Sequence, residues 1–184
     1  MSVTLVEKYN PEWPDWFKVI KTSLGKKVVE TCLRIEHVGS TSVSGMTAKP
    51  IIDLILVIEP QRFEEIKGIL AERGYHHNGD QGIKDREVFK LEDAGVKNSL
   101  PTHHLYVCPK NSNELMKETA FRDFLRQRQE YSERLSALKW SLAEKFDNDR
   151  EPYMEGKAAL CQEITEKALE HSKGINIAYK SRGA

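Results

Sequence analysis

Residues 35–58, "IEHVGSTSVSGMTAKPIIDLILVI", decide how this chain folds. Two glycines, Gly39 and Gly45, and four hydroxyl residues, Ser40, Thr41, Ser42 and Ser44, precede an eight-residue run that is aliphatic except for Asp53. The run, residues 51–58, is continuous rather than alternating. That pattern predicts an interior strand of a sheet covered on both faces. An ionised carboxylate buried without a partner costs on the order of several kcal/mol. Asp53 is therefore expected to face a cation, a donor or an open cleft, the alternative being a strand end near solvent.

Working outward, "TCLRIEHV" (residues 31–38) reads as a strand entering the Gly-Ser turn. Before it, Trp13, Phe17, Ile20 and Leu24 recur at helical spacing after Pro11, and Gly25 stops the helix. Beyond the aliphatic run, Phe63, Ile66 and Leu70 predict a helix ended by Gly74. "HHNGDQGIKD" reads as a loop, "REVFKLE" and "HHLYVC" as strands, and "EDAGVKNSLP" as the loop between them. From Asn111 the character changes. Met116, Ala120 and Phe124, then Tyr131, Leu135, Leu138, Leu142 and Phe146, then Leu160, Ile164 and Ala168 form helical stripes. The expectation is a mixed α/β (α+β) fold: an α/β core over residues 1–110, a helical part over 111–172 packed on it, and a tail over 173–184, all one compact unit. Most of the aromatic residues, among them Trp13, Phe17, Tyr131, Trp140 and Phe146, read as core.

The 184 residues suit one domain rather than two unrelated ones. Twenty-eight basic and 28 acidic side chains cancel, so no global field attracts nucleic acid or an anionic membrane, and any phosphate site must be local. Cys32, Cys108 and Cys161 have an odd count and no CxxC spacing, which reads as thiols of a reducing compartment. The start of the chain lacks an apolar signal core, and eight aliphatic residues are too few to span a bilayer. A soluble, cytoplasmic protein is expected.

The chemistry gathers around the turn. Gly39 permits a close backbone approach, and Ser40, Thr41 and Ser42 offer hydroxyls beside free N–H groups, a pattern suited to an anion. The same residues also close turns without any ligand. Lys49 follows, then Asp53, so a phosphate cradle and a metal-seeking carboxylate meet at one sheet edge. A nucleoside triphosphate with Mg2+ fits such a site, because Mg2+ keeps few protein ligands and uses substrate phosphates for the rest. In "THHLYV", His104 and Tyr106 share one strand face. His104 is a candidate proton carrier or phosphate donor, and an internally hydrogen-bonded histidine is the alternative. Zinc on His76, His77, His103 and His104 is disfavoured, since adjacent histidines on a strand point to opposite faces. Asp149, Tyr153 and Lys157 stack on one helix face, as do Arg122 and Arg126, the alternative for both sets being a solvated charged face or helix–helix ion pairs. Arg86, at a strand start, is a further triphosphate candidate.

The segment "RIEHVGSTSVSGMTAKPIIDLILVI" resembles the signature of the GrpB family, whose core is similar to the nucleotidyltransferase superfamily fold. "HHLYV", "FRDFLR", "LKWSLAEKF" and "DREPYMEGKAAL" resemble its other blocks in the same order, from about Val3 to about Leu169. The resemblance implies binding of a nucleoside triphosphate and Mg2+ and transfer of a nucleotidyl group to an acceptor that the sequence leaves unnamed. It also brings Tyr153 and Lys157 forward as nucleobase or phosphate contacts. In the superfamily, a Gly-Ser turn precedes a strand with two carboxylates at alternate positions. Residues i and i+2 share a strand face, roughly 6 to 7 Å apart. Here the first matches Asp53 and the second position is Ile55. Two-metal chemistry would then need carboxylates from neighbouring strands, for which Glu87 and Glu36 are the nearest. The other reading is a non-catalytic nucleotide-binding or partner-binding module of the same fold.

Overall fold

The computed structural model describes the backbone of residues 6–146 and 149–181, and side chains through residue 174 of those. The first residues of the family resemblance, near Val3, and the last of the expected tail, 182–184, lie outside the described residues.

In chain order the elements are α1 (Trp13–Leu24), α2 (Lys26–Thr31), β1 (Arg34–Val38), β2 (Ile52–Ile58), α3 (Phe63–Ala71), β3 (Tyr75–His77), β4 (Glu87–Leu91), α4 (Ala94–Ser99), β5 (His103–Pro109), α5 (Asn113–Gln127), α6 (Gln129–Lys145) and α7 (Arg150–Ser181). The five strands form one mixed sheet in the order β1-β2-β5-β4-β3. Only β2 and β5 run parallel; the other pairs are antiparallel. The mixed α/β class expected from the sequence is the class observed.

Both sheet faces are covered, as the unbroken aliphatic run requires. On one face Ile52, Leu54, Leu56 and Ile58 of β2 pack with Trp13, Ile20 and Leu24 of α1 and with Ile66 and Leu70 of α3. On the other, Ile55 and Val57 pack with Val38, Cys108 and Leu115 of α5. Each large apolar side chain so buried contributes roughly 1.5–3 kcal/mol. Helices α5, α6 and α7 share a third cluster, in which Phe124, Leu135 and Ile164 meet Val43 and Met46 from the loop after the Gly-Ser turn. The turn is therefore held between the sheet and the C-terminal helices.

Four local readings change. Thr31 ends α2 rather than beginning a strand: its hydroxyl donates to Lys27 O at 2.8 Å, and the helix buries Val28. Tyr75–His77, partly assigned to a loop, pairs with β4 as an edge strand. Within "EDAGVKNSLP", Asp93 caps the short α4 by accepting from Val96 N at 2.9 Å. Helix α7 continues through Ser181, so its backbone runs into the segment read as a tail.

Candidate functional site

Strand register builds the site first. Asp53 lies opposite Val38 of β1 and opposite His104 of β5. His104 Nδ1 stands 2.9 Å from Asp53 Oδ1. A carboxylate only accepts, so Nδ1 carries the proton and Nε2 of a neutral ring is left as an acceptor. The Asp53 side chain keeps 28% exposure and His104 52%, so this pair opens to solvent. Beside them Ile55 is fully buried, and Tyr106 shares the His104 face. Gly39 is required here: a Cβ on it would lie 2.5 Å from Asp53 Oδ2, and its φ of +68° is a conformation L side chains rarely adopt.

The turn itself is largely satisfied from within. Thr41 Oγ1 donates to Ile51 O at 3.2 Å and accepts from His37 Nε2 at 3.0 Å. Ser42 Oγ donates to Gly39 O at 2.6 Å, while Arg126 Nη2 and Nε hold Ser42 O at 2.8 and 3.1 Å. His37 stacks on Phe17 with ring centroids 4.8 Å apart. Of the three hydroxyls in the expected cradle, Thr41 and Ser42 thus close the turn. Ser40 faces elsewhere: its Oγ lies 2.5 Å from Lys139 Nζ.

Lys139, which the sequence reading passed over, comes from α6 and is 4% exposed. Its amine also reaches Thr47 O at 3.0 Å. Burial, then the charge of Lys157, push its pKa down to about 7 against the opposing pull of Cys161 and Asp53. Two further amines gather nearby. Lys49 Nζ lies 5.1 Å and Lys157 Nζ 5.7 Å from the ring centre of Tyr153, itself 1% exposed. Lys49 is shifted downward by burial and by the like charges of Lys157 and Arg150. Among the described residues no carboxylate forms an ion pair with Lys49, Lys139 or Lys157, although salt bridges occupy many other cations. Amines crowded without counter-ions are an arrangement that an anion relieves.

The chain matches the family described as GrpB protein over residues 3–167. It belongs to the GrpB family. The UPF0157 protein BH1888 of Halalkalibacterium halodurans is 34% identical over 91% of this chain and 83% of its own length. The glutamate-rich protein GrpB of Alkalihalophilus pseudofirmus is 32% identical over 85% and 90%. The UPF0157 protein YqkA of Bacillus subtilis is 29% identical, and the chain spans about half of its length (48%). Among solved structures, GrpB from Enterococcus faecalis superposes with a TM-score of 0.78 at 29% identity, covering 91% of this chain and 98% of that one. The Cid1 poly(U) polymerase, in a form bound to MgATP, superposes with a TM-score of 0.53 at 12% identity over 78% of this chain and 46% of its own. At that identity the likeness is one of fold: the GrpB sheet is nucleotidyltransferase-like.

Against this GrpB fold the remaining candidate residues sort by sheet face. Glu87, expected as a metal carboxylate beside Asp53, lies on the opposite face, opposite Val107 in register, with its Oε2 2.6 Å from His77 Nε2. Antiparallel pairing of β4 turned it away. Glu36 is on the Asp53 face, yet its oxygens are taken by Arg122 Nη1 at 2.6 Å and Arg34 Nε at 2.7 Å. Burial opposes ionisation of Glu36, but these hydrogen bonds and charges outweigh it and hold the carboxyl below its usual range. Neither is placed to share a metal with Asp53.

Arg86 does stand on the site side, its guanidinium 4.8 Å over the Tyr106 ring and 4.0 Å from Glu114. Its Nε is buried with no partner. One turn along α5, half-buried Glu118 is a second carboxylate near Asp53, raised to about 7 by burial and by the charges of Asp53 and Glu114. It arrives from a helix, so no strand periodicity announces it. His103 is engaged on the other face, between Tyr75 Oη at 2.7 Å and Pro101 O at 2.8 Å, which separates it from His104. Asp149 is exposed just ahead of α7, while Tyr153 and Lys157 are on it. A groove of about 530 Å3 at the turn is lined by Thr41, Ser42, Leu125, Arg126 and Ser132 among others, and Asp53 does not line it.

Among the described residues no group of three or more histidine, cysteine or acidic side chains is arranged to hold a metal. Among those residues a metal held by protein alone therefore does not fit. A Mg2+ shared with a triphosphate does, since it needs one or two carboxylates and takes its other ligands from phosphate and water. Among the described residues no helix is long and apolar enough to cross a membrane.

Proposed function

We propose that this GrpB protein binds a nucleoside triphosphate in the cleft between the β2–β5 face and helices α5–α7. The observation that carries this reading is the set of amines, Lys49, Lys139 and Lys157, gathered near the Gly-Ser turn with no carboxylate in an ion pair with them among the described residues. The Gly39–Ser40 backbone and the Ser40 hydroxyl would meet phosphate oxygens, Lys49 and Lys157 would neutralise them, and Arg86 would approach from the Tyr106 side. Tyr153 supports the two lysines from beneath. Asp53 would hold Mg2+, which supplies charge neutralisation of the phosphates when bound.

Nucleotidyl transfer would follow from the same placement. An acceptor hydroxyl or amine attacks the α-phosphorus in line, the bond to pyrophosphate breaks, and the acceptor's proton passes to His104 Nε2, held in orientation by Asp53. The second reading is a binding module without transfer. Ile55, fully buried where the superfamily carries its second carboxylate, favours it. A cytoplasmic setting suits the three free thiols, of which Cys32 and Cys108 are pushed up to about 12 chiefly by burial and are poorly reactive.

The test is a thermal-shift series with each nucleoside triphosphate, with and without Mg2+, on the wild type and Asp53→Asn. Stabilisation of the wild type by at least one nucleotide supports binding; none with any nucleotide removes the proposal. Pyrophosphate release with hydroxyl, amine and RNA acceptors then separates an enzyme from a binder.

A further inference from the structure

A charged Lys139 has one N–H donor more than its two partners accept. A neutral amine has two N–H donors and a lone pair; an ammonium has three donors and no acceptor. The two protein atoms at hand are Ser40 Oγ at 2.5 Å and Thr47 O at 3.0 Å, both uncharged. A third donor has no partner among the described residues. The groups that face it are Ser40 and Thr47 from the turn and the loop after it, Lys157 and Cys161 from α7, and Asp53 from β2. Only Asp53 is a carboxylate, and it is not in contact, being bonded to His104.

We propose that Lys139, held by two neutral acceptors, loses its proton in the free protein on the alkaline side of neutrality and regains it as a polyphosphate enters, giving its third N–H to a phosphate oxygen. The proposal deepens the anion cleft argued above and rests on that cleft, but not on the anion being a nucleotide. Its basis is geometric: an amine 4% exposed, on two neutral acceptors, with the charge of a second lysine, Lys157, acting against it. Leaving such an amine charged without a counter-ion is unfavourable, and releasing the proton avoids that penalty. The downward shift to about 7 has the same origin. An incoming anion restores the counter-ion, so protonation and binding become linked.

The sign follows from the linkage. Below about pH 7 the amine is already charged and binding takes up no proton through it. Above that, binding must draw a proton from solvent, so affinity falls as pH rises, by up to about tenfold per pH unit. Ser40 is the hinge of the exchange, because its hydroxyl touches both the amine and the expected phosphate position.

The experiment uses inorganic tripolyphosphate without metal on the full chain. Lysine labelled with carbon-13 at Cε is titrated by NMR, free and saturated with the anion, and the Lys139 signal is assigned by its loss in Lys139→Met. The proposal expects one lysine signal with a midpoint near 7 in the free protein that moves up by about two pH units or more with tripolyphosphate. Should that variant not fold, titration of the wild type by calorimetry in two buffers of different ionisation enthalpy still reads the uptake. That uptake should be close to one proton at about pH 8 and close to none at about pH 6.

No lysine signal titrating below about pH 9 in the free protein overturns the proposal, as does absent binding or binding without uptake. Proton-linked binding of tripolyphosphate with no binding of any nucleotide leaves this inference standing and removes the nucleotide reading. Nucleotide binding without proton uptake does the reverse.

Discussion

Across the parallel β2–β5 pair, His104 Nδ1 lies 2.9 Å from Asp53 Oδ1, and the pair is the exposed end of a row that includes Val38 of β1. Asp53→Asn keeps the shape and a hydrogen-bond acceptor but removes the charge. It is expected to abolish the Mg2+-dependent part of any nucleotide-induced rise in melting temperature while tripolyphosphate still binds without metal. His104→Gln should leave binding in place and lower any transfer by about 10²–10⁴-fold, the usual contribution of a positioned proton carrier.

Gly39→Ala tests the close approach behind that pair. The new Cβ would sit 2.5 Å from Asp53 Oδ2 on a backbone with φ +68°. A loss of about 1–3 kcal/mol in urea denaturation is expected, together with loss of the Asp53-dependent Mg2+ response. Unchanged stability would show that the turn relaxes around the methyl group.

The Glu36–Arg122 pair should be structural. Arg122 Nη1 reaches Glu36 at 2.6 Å and His37 O at 3.1 Å, with the arginine side chain 11% and the glutamate 19% exposed. Arg122→Met strands the carboxylate, and about 1–3 kcal/mol of destabilisation is expected, below the figure for full burial because both partners retain some solvent. In the double variant with Glu36→Gln part of the loss should return, read as a coupling in a double-mutant cycle.

His37 carries a pH dependence. Burial first, then Arg126 and Arg122 against Asp53, push its pKa down to about 4 from the ordinary 6.5. The unfolded chain therefore binds the proton more readily than the fold. Stability from this group is complete above about pH 6.5 and is lost as pH falls toward 4, by roughly 1–2 kcal/mol after allowance for partial exposure. In His37→Gln, which can still donate to Thr41 Oγ1, that stretch of the stability curve should flatten. An equally steep curve would assign the loss to other groups.

Lys157 bears on both amines near the turn. Lys157→Met is expected to weaken tripolyphosphate binding roughly tenfold, on the scale of one charge-assisted hydrogen bond, and to reduce its salt dependence. It should also raise the midpoint of Lys139, because a repelling charge is gone.

Much of the fold was legible because its signals are local. Trp13 and Ile20 show the helical period, the unbroken aliphatic run marks a buried strand, and Gly39 marks the turn beside Asp53. No local signal announces the helix from Lys26 to Thr31, because Val28, Val29 and Thr31 favour strands, while packing of Val28 against the sheet favours the helix and takes Thr31 from the strand expected over residues 31–38. The site was legible only in part. Ser40, Lys49, Asp53, His104, Tyr153 and Lys157 could be named, whereas nothing in "LKWSLAEKF" distinguishes Lys139 from a solvated helical lysine.

The sequence by itself determined the family, the mixed fold and the Gly-Ser turn ahead of Asp53, since each rests on a pattern within a few tens of residues. Tertiary structure decided which charges meet. It turned Glu87 to the opposite face through the β4–β5 register, paired Glu36 with Arg122 from α5, brought Glu118 near Asp53, and buried Lys139 against Ser40 across 99 positions of chain. The physical reason is range. Strand and helix periods set which way a side chain points from its own element, but long-range pairing sets what stands opposite.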